Sequence, residues 1–183
     1  MATVIDDAVL AWFQAHRHPA ATQLMLFLSL VHSNPGLLGM AGALGLWVAA
    51  TRQRLWFWAL VGSVPGAMLL NVGAKHLFAR ERPDDPMVLL ETYSFPSGHA
   101  TGSAAFYTFL AFWLLSRMQS ASRVQRAGVI GFALAMTLMV CVARMYLGVH
   151  YLTDVLAGML LGTAWTTLWV GALRRQAGPN VMR

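Results

Sequence analysis

The residues best suited to chemistry lie in one short stretch, from Ala143 to Asp154, between two long apolar segments. His150 and Asp154 are four residues apart, so their side chains share one face of a helix and can meet. A carboxylate beside a histidine fixes the tautomer of the imidazole and stabilises its cation, which leaves the other ring nitrogen free. The pair therefore predicts an imidazole that is held ready for reaction.

Arg144 adds a planar cationic group suited to phosphate oxygens. It precedes His150 by six residues, which would place the two side chains on different sides of one unbroken helix. We expect Gly148 to break the helix so that both side chains reach one spot. The alternative is two helix ends whose polar residues only extend toward the membrane surface.

The composition indicates a membrane protein. The 183 residues are 57% hydrophobic and 11% charged, with a mean hydropathy of +0.56, whereas soluble domains carry roughly 25% charged residues. Most of the basic residues behind the net charge of +6 flank the apolar segments, as residues that set membrane topology do. No nucleic-acid partner is therefore predicted. Cys141 is the single cysteine and excludes an intrachain disulfide. Asp6 and Asp7 stand where a cleavable signal peptide would be basic, so none is expected.

The hydropathy pattern predicts an all-α fold, with one membrane domain over residues 1–183. A short amphipathic helix over about 4–16 would lie on the membrane surface, or form the first turns of a longer transmembrane helix. Six apolar segments follow and predict a bundle of six transmembrane helices. They cover about 20–33, 36–51, 55–78, 98–116, 127–146 and 151–173. Glycines recur at three- or four-residue spacing in several of them, which favours close helix packing: Gly36, Gly39, Gly42 and Gly45; Gly62 and Gly66; Gly98 and Gly102; Gly158 and Gly162.

Basic residues predict the orientation, because cytoplasmic loops carry an excess of Lys and Arg. With a cytoplasmic N-terminus, nine fall on the cytoplasmic side: Arg17, Arg52, Arg54, Arg117, Arg123, Arg126, Arg174, Arg175 and Arg183. Four fall on the other side: Lys75, Arg80, Arg82 and Arg144. This places the chain in the inner (plasma) membrane, with both termini cytoplasmic and the four exceptions facing the periplasm or exterior. Positive charges on the disfavoured side predict an anionic ligand.

Two further clusters fall on that outer side. In the first, Lys75 and Arg82 are two helical turns apart, about 10 Å, and flexible stems can bring both heads onto one phosphate. Pro83 would end this helix. The alternative is a basic helix end that contacts lipid headgroups.

The second cluster, Phe95 to His99, precedes the fourth apolar segment. Ser97 is a suitable N-cap, and the free amides of Ser97, Gly98 and His99 would form an anion site at the positive end of the helix dipole. His99 could then stand opposite His150. The alternative is an ordinary capped helix with an incidental histidine.

Together the clusters resemble the PAP2 phosphatase superfamily, the type 2 phosphatidic acid phosphatases. The family's motifs K-x6-RP, PSGH and SR-x5-H-x3-D match Lys75 to Pro83, Pro96 to His99 and Arg144 to Asp154, in the same order. Ala143 stands where the pattern has serine, so one phosphate-binding hydroxyl is missing.

The resemblance implies a phosphatase that forms a phosphohistidine. His150, oriented by Asp154, would attack phosphorus, and His99 would protonate the leaving oxygen. Phosphate oxygens would be bound by Lys75, Arg82, Ser97, Gly98 and Arg144. The fixed cations would do the work of a metal, so no metal or other cofactor is expected. The remaining acidic residues make no convincing metal site, and Arg80, outside the motif pattern, is expected at the surface.

The implied substrate is an amphiphilic lipid phosphate, with membrane lipids around the protein. Undecaprenyl pyrophosphate is the first choice, and phosphatidylglycerol phosphate and phosphatidic acid are alternatives. A lipid phosphotransferase could use the same intermediate. A phospholipid-binding or transport protein without turnover is the non-enzymatic alternative. The sequence leaves the oligomeric state open.

Overall fold

The chain folds into seven α-helices, with no strand among residues 2–177, which the computed structural model describes. The prediction of an all-α fold is confirmed. The helices are α1 (Val4–Ala15), α2 (Pro19–Val31), α3 (Asn34–Ala50), α4 (Arg54–Phe78), α5 (Gly98–Arg117), α6 (Arg123–Tyr146) and α7 (Leu152–Ala177).

Local sequence explains where several helices begin. Thr3 and Asp6 form a reciprocal capping box at the start of α1, and Ser122 and Gln125 form another at the start of α6. Ser97 caps α5 with its side chain, as its position before the apolar segment predicts. These caps satisfy amides that have no partner inside the helix.

Helix α5 lies at the centre of the bundle and packs against α3, α4, α6 and α7. Its closest neighbour is α7, because Gly158 and Gly162 remove side chains from the contact. A Cβ atom on Gly162 would lie 2.2 Å from the carbonyl oxygen of Thr101, and one on Gly158 would lie 2.5 Å from that of Ser97. The packing interpretation of these glycines is therefore confirmed.

Other glycines serve different contacts. The indole rings of Trp169 and Trp165 lie directly on Gly62 and Gly66. Gly39 and Gly42 have open space where a Cβ would be, so the packing interpretation is wrong for these two.

Within residues 2–177, three helices are long and apolar enough to cross a membrane: α4, α6 and α7. The pair α2 and α3 also meets these criteria if counted as one span, with a bend of 56° between the two helices. His18, before α2, donates its amide to the hydroxyl of Tyr146 at the end of α6. Gln53, after α3, accepts from Trp113 near the end of α5. The pair thus runs through the bundle once, whereas the sequence predicted two separate spans.

The two ends of the described chain lie at opposite ends of the bundle. Asp6 of α1 pairs with Arg80 just after α4, whereas Arg174 near the end of α7 lies over Trp56 at the start of α4. Arg17 pairs with Asp85 at 3.4 Å, so it shares the end at which α4 finishes. Arg17 was predicted to lie on the opposite side of the membrane from the four outer basic residues, and that prediction is wrong. The charge count could not reveal this, because α1 folds back onto α6 and α7. Arg183 lies outside the described residues.

The close contact of α5 and α7 predicts a position-specific cost. Gly162→Ala places a methyl group against the backbone of Thr101 and Ala105, so it should destabilise the protein by ~1–3 kcal/mol. Thermal unfolding in detergent measures this loss.

Gly171→Ala is the matched control, since it makes the same change in the same helix where nothing lies within 4 Å. It should leave the midpoint unchanged or raise it slightly, because alanine favours helix. Equal effects of the two substitutions would contradict the close contact.

Candidate active site

Four helix ends meet at one end of the bundle: the ends of α4 and α6 and the starts of α5 and α7. The amide of Ser97 donates to the carbonyl of Asp154 at 3.0 Å and so joins the starts of α5 and α7. Asn71 on α4 donates to the carbonyl of Pro96 at 3.1 Å and to the hydroxyl of Thr101 at 3.0 Å. The three sequence clusters therefore lie around one centre.

Gly148 ends α6 and turns the chain back, as its sequence position predicts. Its φ of +69° belongs to the left-handed region that favours glycine. The amide of Gly148 bonds to the carbonyl of Met145, and that of Val149 bonds to the carbonyl of Arg144. This pattern is the Schellman motif. It keeps His150 close to the last turn of α6, although six residues separate it from Arg144.

His150 has a different partner at each ring nitrogen. Its Nδ1 lies 3.4 Å from Oδ2 of Asp154 and 3.4 Å from Oγ of Ser94. Its Nε2 lies 3.4 Å from Nη1 of Arg82. The carboxylate of Asp154 is an acceptor, so Nδ1 must carry a proton to bond to it. The arrangement therefore favours the tautomer of His150 in which Nε2 is unprotonated.

Burial keeps this imidazole neutral. His150 is 2% exposed, and burial, followed by the charges of Arg144 and Arg82, lowers its pKa to about 3 despite the opposing effect of Asp154. A neutral imidazole with a free Nε2 can act as a nucleophile.

Helix α4 ends where the third predicted apolar segment ends, so the expectation that the helix continues to Pro83 is wrong. It stops at Phe78, with Ala79 in the left-handed conformation, and not at Pro83. Lys75 and Arg82 therefore do not lie on one continuous helix. The chain after Ala79 is non-helical, and Arg80 and Arg82 are half-buried while Glu81 between them is exposed. The acceptors around both arginines stabilise this arrangement.

Lys75 and Arg82 both hold backbone carbonyls of the loop before α5. Nζ of Lys75 donates to the carbonyl of Tyr93. Arg82 donates to the carbonyl of Thr92 at 2.6 Å and to that of Val149 at 2.8 Å. Because Nη2 of Arg82 also donates to the carbonyl of Tyr93 at 3.2 Å, the two cationic groups meet at one carbonyl.

Arg144 is 1% exposed and has donors to spare. Its Nη1 donates to the hydroxyl of Ser29 on α2. Its Nε and Nη2 are buried and have no hydrogen-bond partner within the described residues. Unpaired donors of a buried guanidinium are costly, and an anion would satisfy them.

His99 lies beside Ser29 as well. Its Nε2 is 3.2 Å from the carbonyl of Ser29, which can only accept a hydrogen bond. Nε2 of His99 must therefore carry a proton, and Nδ1 is left for other partners. Within residues 2–177, His99 and His150 make no hydrogen bond to each other.

The predicted amide site before α5 is only partly present. The amide of Ser97 is not free, because it bonds to Asp154, and Ser97 is fully buried. The prediction of an outward-facing Ser97 amide is therefore wrong. Gly98 stays open, since a Cβ there would meet only Oδ1 of Asn71 at 3.3 Å.

Several polar contacts were not predicted from the sequence. Arg80 was expected at the surface, but it lies between Asp6 and Asp154, so that prediction is wrong. Ser94 and Ser29 were not singled out, although they contact the Asp154 and Arg144 side chains. Single serines and aspartates in loops or apolar helices carry no spacing signal, so only the tertiary structure reveals them.

Comparison with known proteins supplies the family. The model of the PAP2 superfamily matches residues 56–177, which include all three clusters. The chain belongs to the PAP2 superfamily. It is similar to phosphatidylglycerophosphatase B of Bacillus subtilis, at 31% identity over 86% of this chain and 77% of that protein. It is also similar to a decaprenylphosphoryl-5-phosphoribose phosphatase of Mycobacterium tuberculosis, at 30% identity over 80% of this chain and 73% of that protein.

A solved structure of this superfamily has the same fold. The crystal structure of a transmembrane PAP2-type phosphatidylglycerolphosphate phosphatase from Bacillus subtilis matches with a TM-score of 0.80 at 28% identity. The match covers 91% of this chain and 83% of that one. The protein is therefore a membrane enzyme, a PAP2-type phosphatase acting on phosphate esters.

The dual contact of Ser29 predicts a testable effect. Ser29→Ala removes the hydroxyl that holds Arg144 and leaves another buried donor unpaired. We expect kcat/KM for a lipid phosphate to fall about tenfold, which corresponds to about 1.4 kcal/mol of transition-state stabilisation.

Ser116→Ala at the far end of α5 is the control, because its hydroxyl only bonds to the carbonyl of Trp113. Activity of Ser29→Ala equal to that of this control would show that Ser29 does not position Arg144.

Proposed function

We propose that this PAP2 enzyme is a metal-independent lipid phosphate or pyrophosphate phosphatase that forms a phosphohistidine on His150. The observation that carries the proposal is the two-sided environment of that imidazole. Asp154 faces Nδ1 at 3.4 Å, and Arg82 faces Nε2 at 3.4 Å. A nucleophilic nitrogen beside a guanidinium suits attack on an anionic phosphorus centre.

In the first step, Nε2 of His150 forms a bond to phosphorus and the bond from phosphorus to the leaving oxygen breaks. His99 acts here as the imidazolium: its Nε2–H stays bonded to the carbonyl of Ser29, and its Nδ1 gives the second proton to that oxygen, which leaves His99 neutral. The lipid alcohol, or the lipid monophosphate when the substrate is a pyrophosphate, then departs.

In the second step, water attacks the phosphohistidine and His99 accepts the proton of that water. The bond between phosphorus and nitrogen breaks, which releases inorganic phosphate and restores His150. Lys75, Arg82 and Arg144 stabilise the charge on the phosphate oxygens in both steps. Gly98 lets a phosphate oxygen approach the start of α5, where the helix dipole is positive.

We also propose the orientation of the enzyme in the membrane. The sequence predicts six spans, but α2 and α3 meet the length and apolarity criteria only as one bent pair, which with α4, α6 and α7 gives up to four spans. Because α5 runs between the same two ends of the bundle, we propose five crossings. Basic residues at the far end still outnumber those at the site end when Arg17 is counted with the site. The positive-inside rule then places the site on the periplasmic or outer face of the plasma membrane. α1 lies on that outer face, and the end of α7 is cytoplasmic.

The proposed substrate is a lipid phosphate of the cell envelope. The resemblance of the three motifs to those of the PAP2 family makes undecaprenyl pyrophosphate the first choice. The name of the Bacillus subtilis relative instead favours phosphatidylglycerol phosphate, and that of the mycobacterial relative favours a polyprenyl-linked phosphate. The same intermediate could also pass phosphate to a lipid hydroxyl.

A phosphate-release panel tests this proposal. Purified protein in detergent with EDTA should release phosphate from at least one of undecaprenyl pyrophosphate, phosphatidylglycerol phosphate and phosphatidic acid. His150→Ala should lower turnover by at least about a thousandfold, because it removes the nucleophile.

His16→Ala is the matched control, because His16 is exposed and lies outside the site. It should retain wild-type activity. Turnover that survives His150→Ala, or that requires an added metal ion, would contradict the proposal. Phosphate transfer only when a lipid alcohol is added would identify a phosphotransferase.

A further inference from the structure

Arg80 lies between two buried carboxylates, although no motif includes it. Its Nη1 donates to Oδ1 of Asp154 at 2.6 Å, and its Nη2 donates to Oδ2 of Asp6 at 2.9 Å. Both carboxylates are fully buried, and the Arg80 side chain is 11% exposed. The chain of contacts runs from α1 to Arg80, to Asp154 and then to His150.

The contacts of Asp6 extend this chain into α1 and α7. Its Oδ1 accepts from the amide of Thr153 at 2.9 Å, and its Oδ2 accepts from the amide of Thr3 at 3.0 Å. Burial alone would raise the pKa of Asp6, but these bonds and Arg80 hold it well below its usual range. Asp6 is therefore an anion fixed beside the start of α7.

The two oxygens of Asp154 have separate tasks. Oδ1 faces Arg80, while Oδ2 accepts from Ser94 and from the amide of Tyr151 and lies nearest to His150. A carboxylate held at both oxygens cannot rotate away from the imidazole. Arg80 also compensates the Asp154 charge, which would be costly if it were buried alone.

We infer that Arg80 and Asp6 are positioning residues of the active site: Arg80 keeps Asp154 ionised and aimed at His150, and Asp6 anchors Arg80. α1 is thereby part of the catalytic unit. This inference rests on the proposed role of the His150 and Asp154 pair.

The effect of Arg80 depends on the other titratable and charged groups around Asp154. His150 and Tyr151 approach from the loop before α7, and Lys75 and Arg82 act from α4 and the segment that follows it. Arg80 is the group that bonds to both Asp154 and Asp6. Its loss leaves two neighbouring carboxylates without the cation between them, and like charges in one site favour uptake of a proton.

The test is a pH profile of kcat for Arg80→Gln, Asp6→Asn and the double variant, with the phosphate-release assay and one lipid phosphate. Arg80→Gln should lower kcat at pH 6 about tenfold or more, with recovery at alkaline pH. The acidic limb of its kcat profile, where activity falls as the pH is lowered, should shift to higher pH by about one unit. KM should change less than kcat, because the site cations remain.

Asp6→Asn should lower kcat a few-fold without raising the acidic limb, since Arg80 still compensates Asp154. In the double variant, removal of the second carboxylate should return the limb toward its wild-type position. Arg80→Lys should also keep the limb near wild type, because it retains the charge.

Asp7→Asn and Arg54→Gln are matched controls, because they make the same changes at exposed positions. If the acidic limb of the Arg80→Gln profile stays at its wild-type position, the inference is overturned. This holds when kcat is retained, and also when kcat falls only in proportion to the folded fraction measured by thermal unfolding. Activity that survives His150→Ala would instead overturn the proposed function, so the two failures are distinguishable.

Discussion

The site depends on the pairing of charges that an apolar bundle would otherwise exclude. An unpaired charge in a membrane helix costs several kcal/mol, and a buried carboxylate or guanidinium needs both an opposite charge and hydrogen bonds. Asp154 meets this requirement through Arg80 and Ser94. Arg144 meets it only in part, since Nε and Nη2 have no partner among the described residues. The site thus combines a satisfied anion with an unsatisfied cation, which suits an anionic substrate.

The backbone contributes as much to this pairing as the side chains do. The turn at Gly148 brings His150 back to the end of α6, and the end of α4 at Phe78 lets the following non-helical chain turn Arg80 and Arg82 inward. Contacts of Gly158 and Gly162 with the α5 backbone bring the starts of α5 and α7 together. Each feature uses a conformation or a close approach that few residues allow, so the site is held by rigid elements.

Much of this arrangement could be predicted, because strong local patterns specify it. Apolar segments predicted the helices, the spacing of His150 and Asp154 predicted their contact, and Gly148 predicted the helix break. The third apolar segment was predicted to end at residue 78, but the sequence could not show that the chain from Ala79 to Pro83 is non-helical, because acceptors distant in sequence stabilise that conformation. The roles of Arg80 and Asp6 were missed for the same reason, since 74 residues separate each of the two bonded pairs. The side on which Arg17 lies depends on the path of α1, which charge counting does not define.

The central claim is that phosphorus is transferred to Nε2 of His150. The most direct measurement is to quench turnover of a lipid phosphate under alkaline conditions, which preserve a phosphorus–nitrogen bond, and to locate the phosphate by mass spectrometry. The account predicts a phosphorylated peptide with the modification on His150, chased away by further hydrolysis and lost in His150→Ala. Phosphate found on His99, or turnover that incorporates water oxygen directly with no phosphorylated histidine under conditions that preserve phosphohistidine, would contradict it.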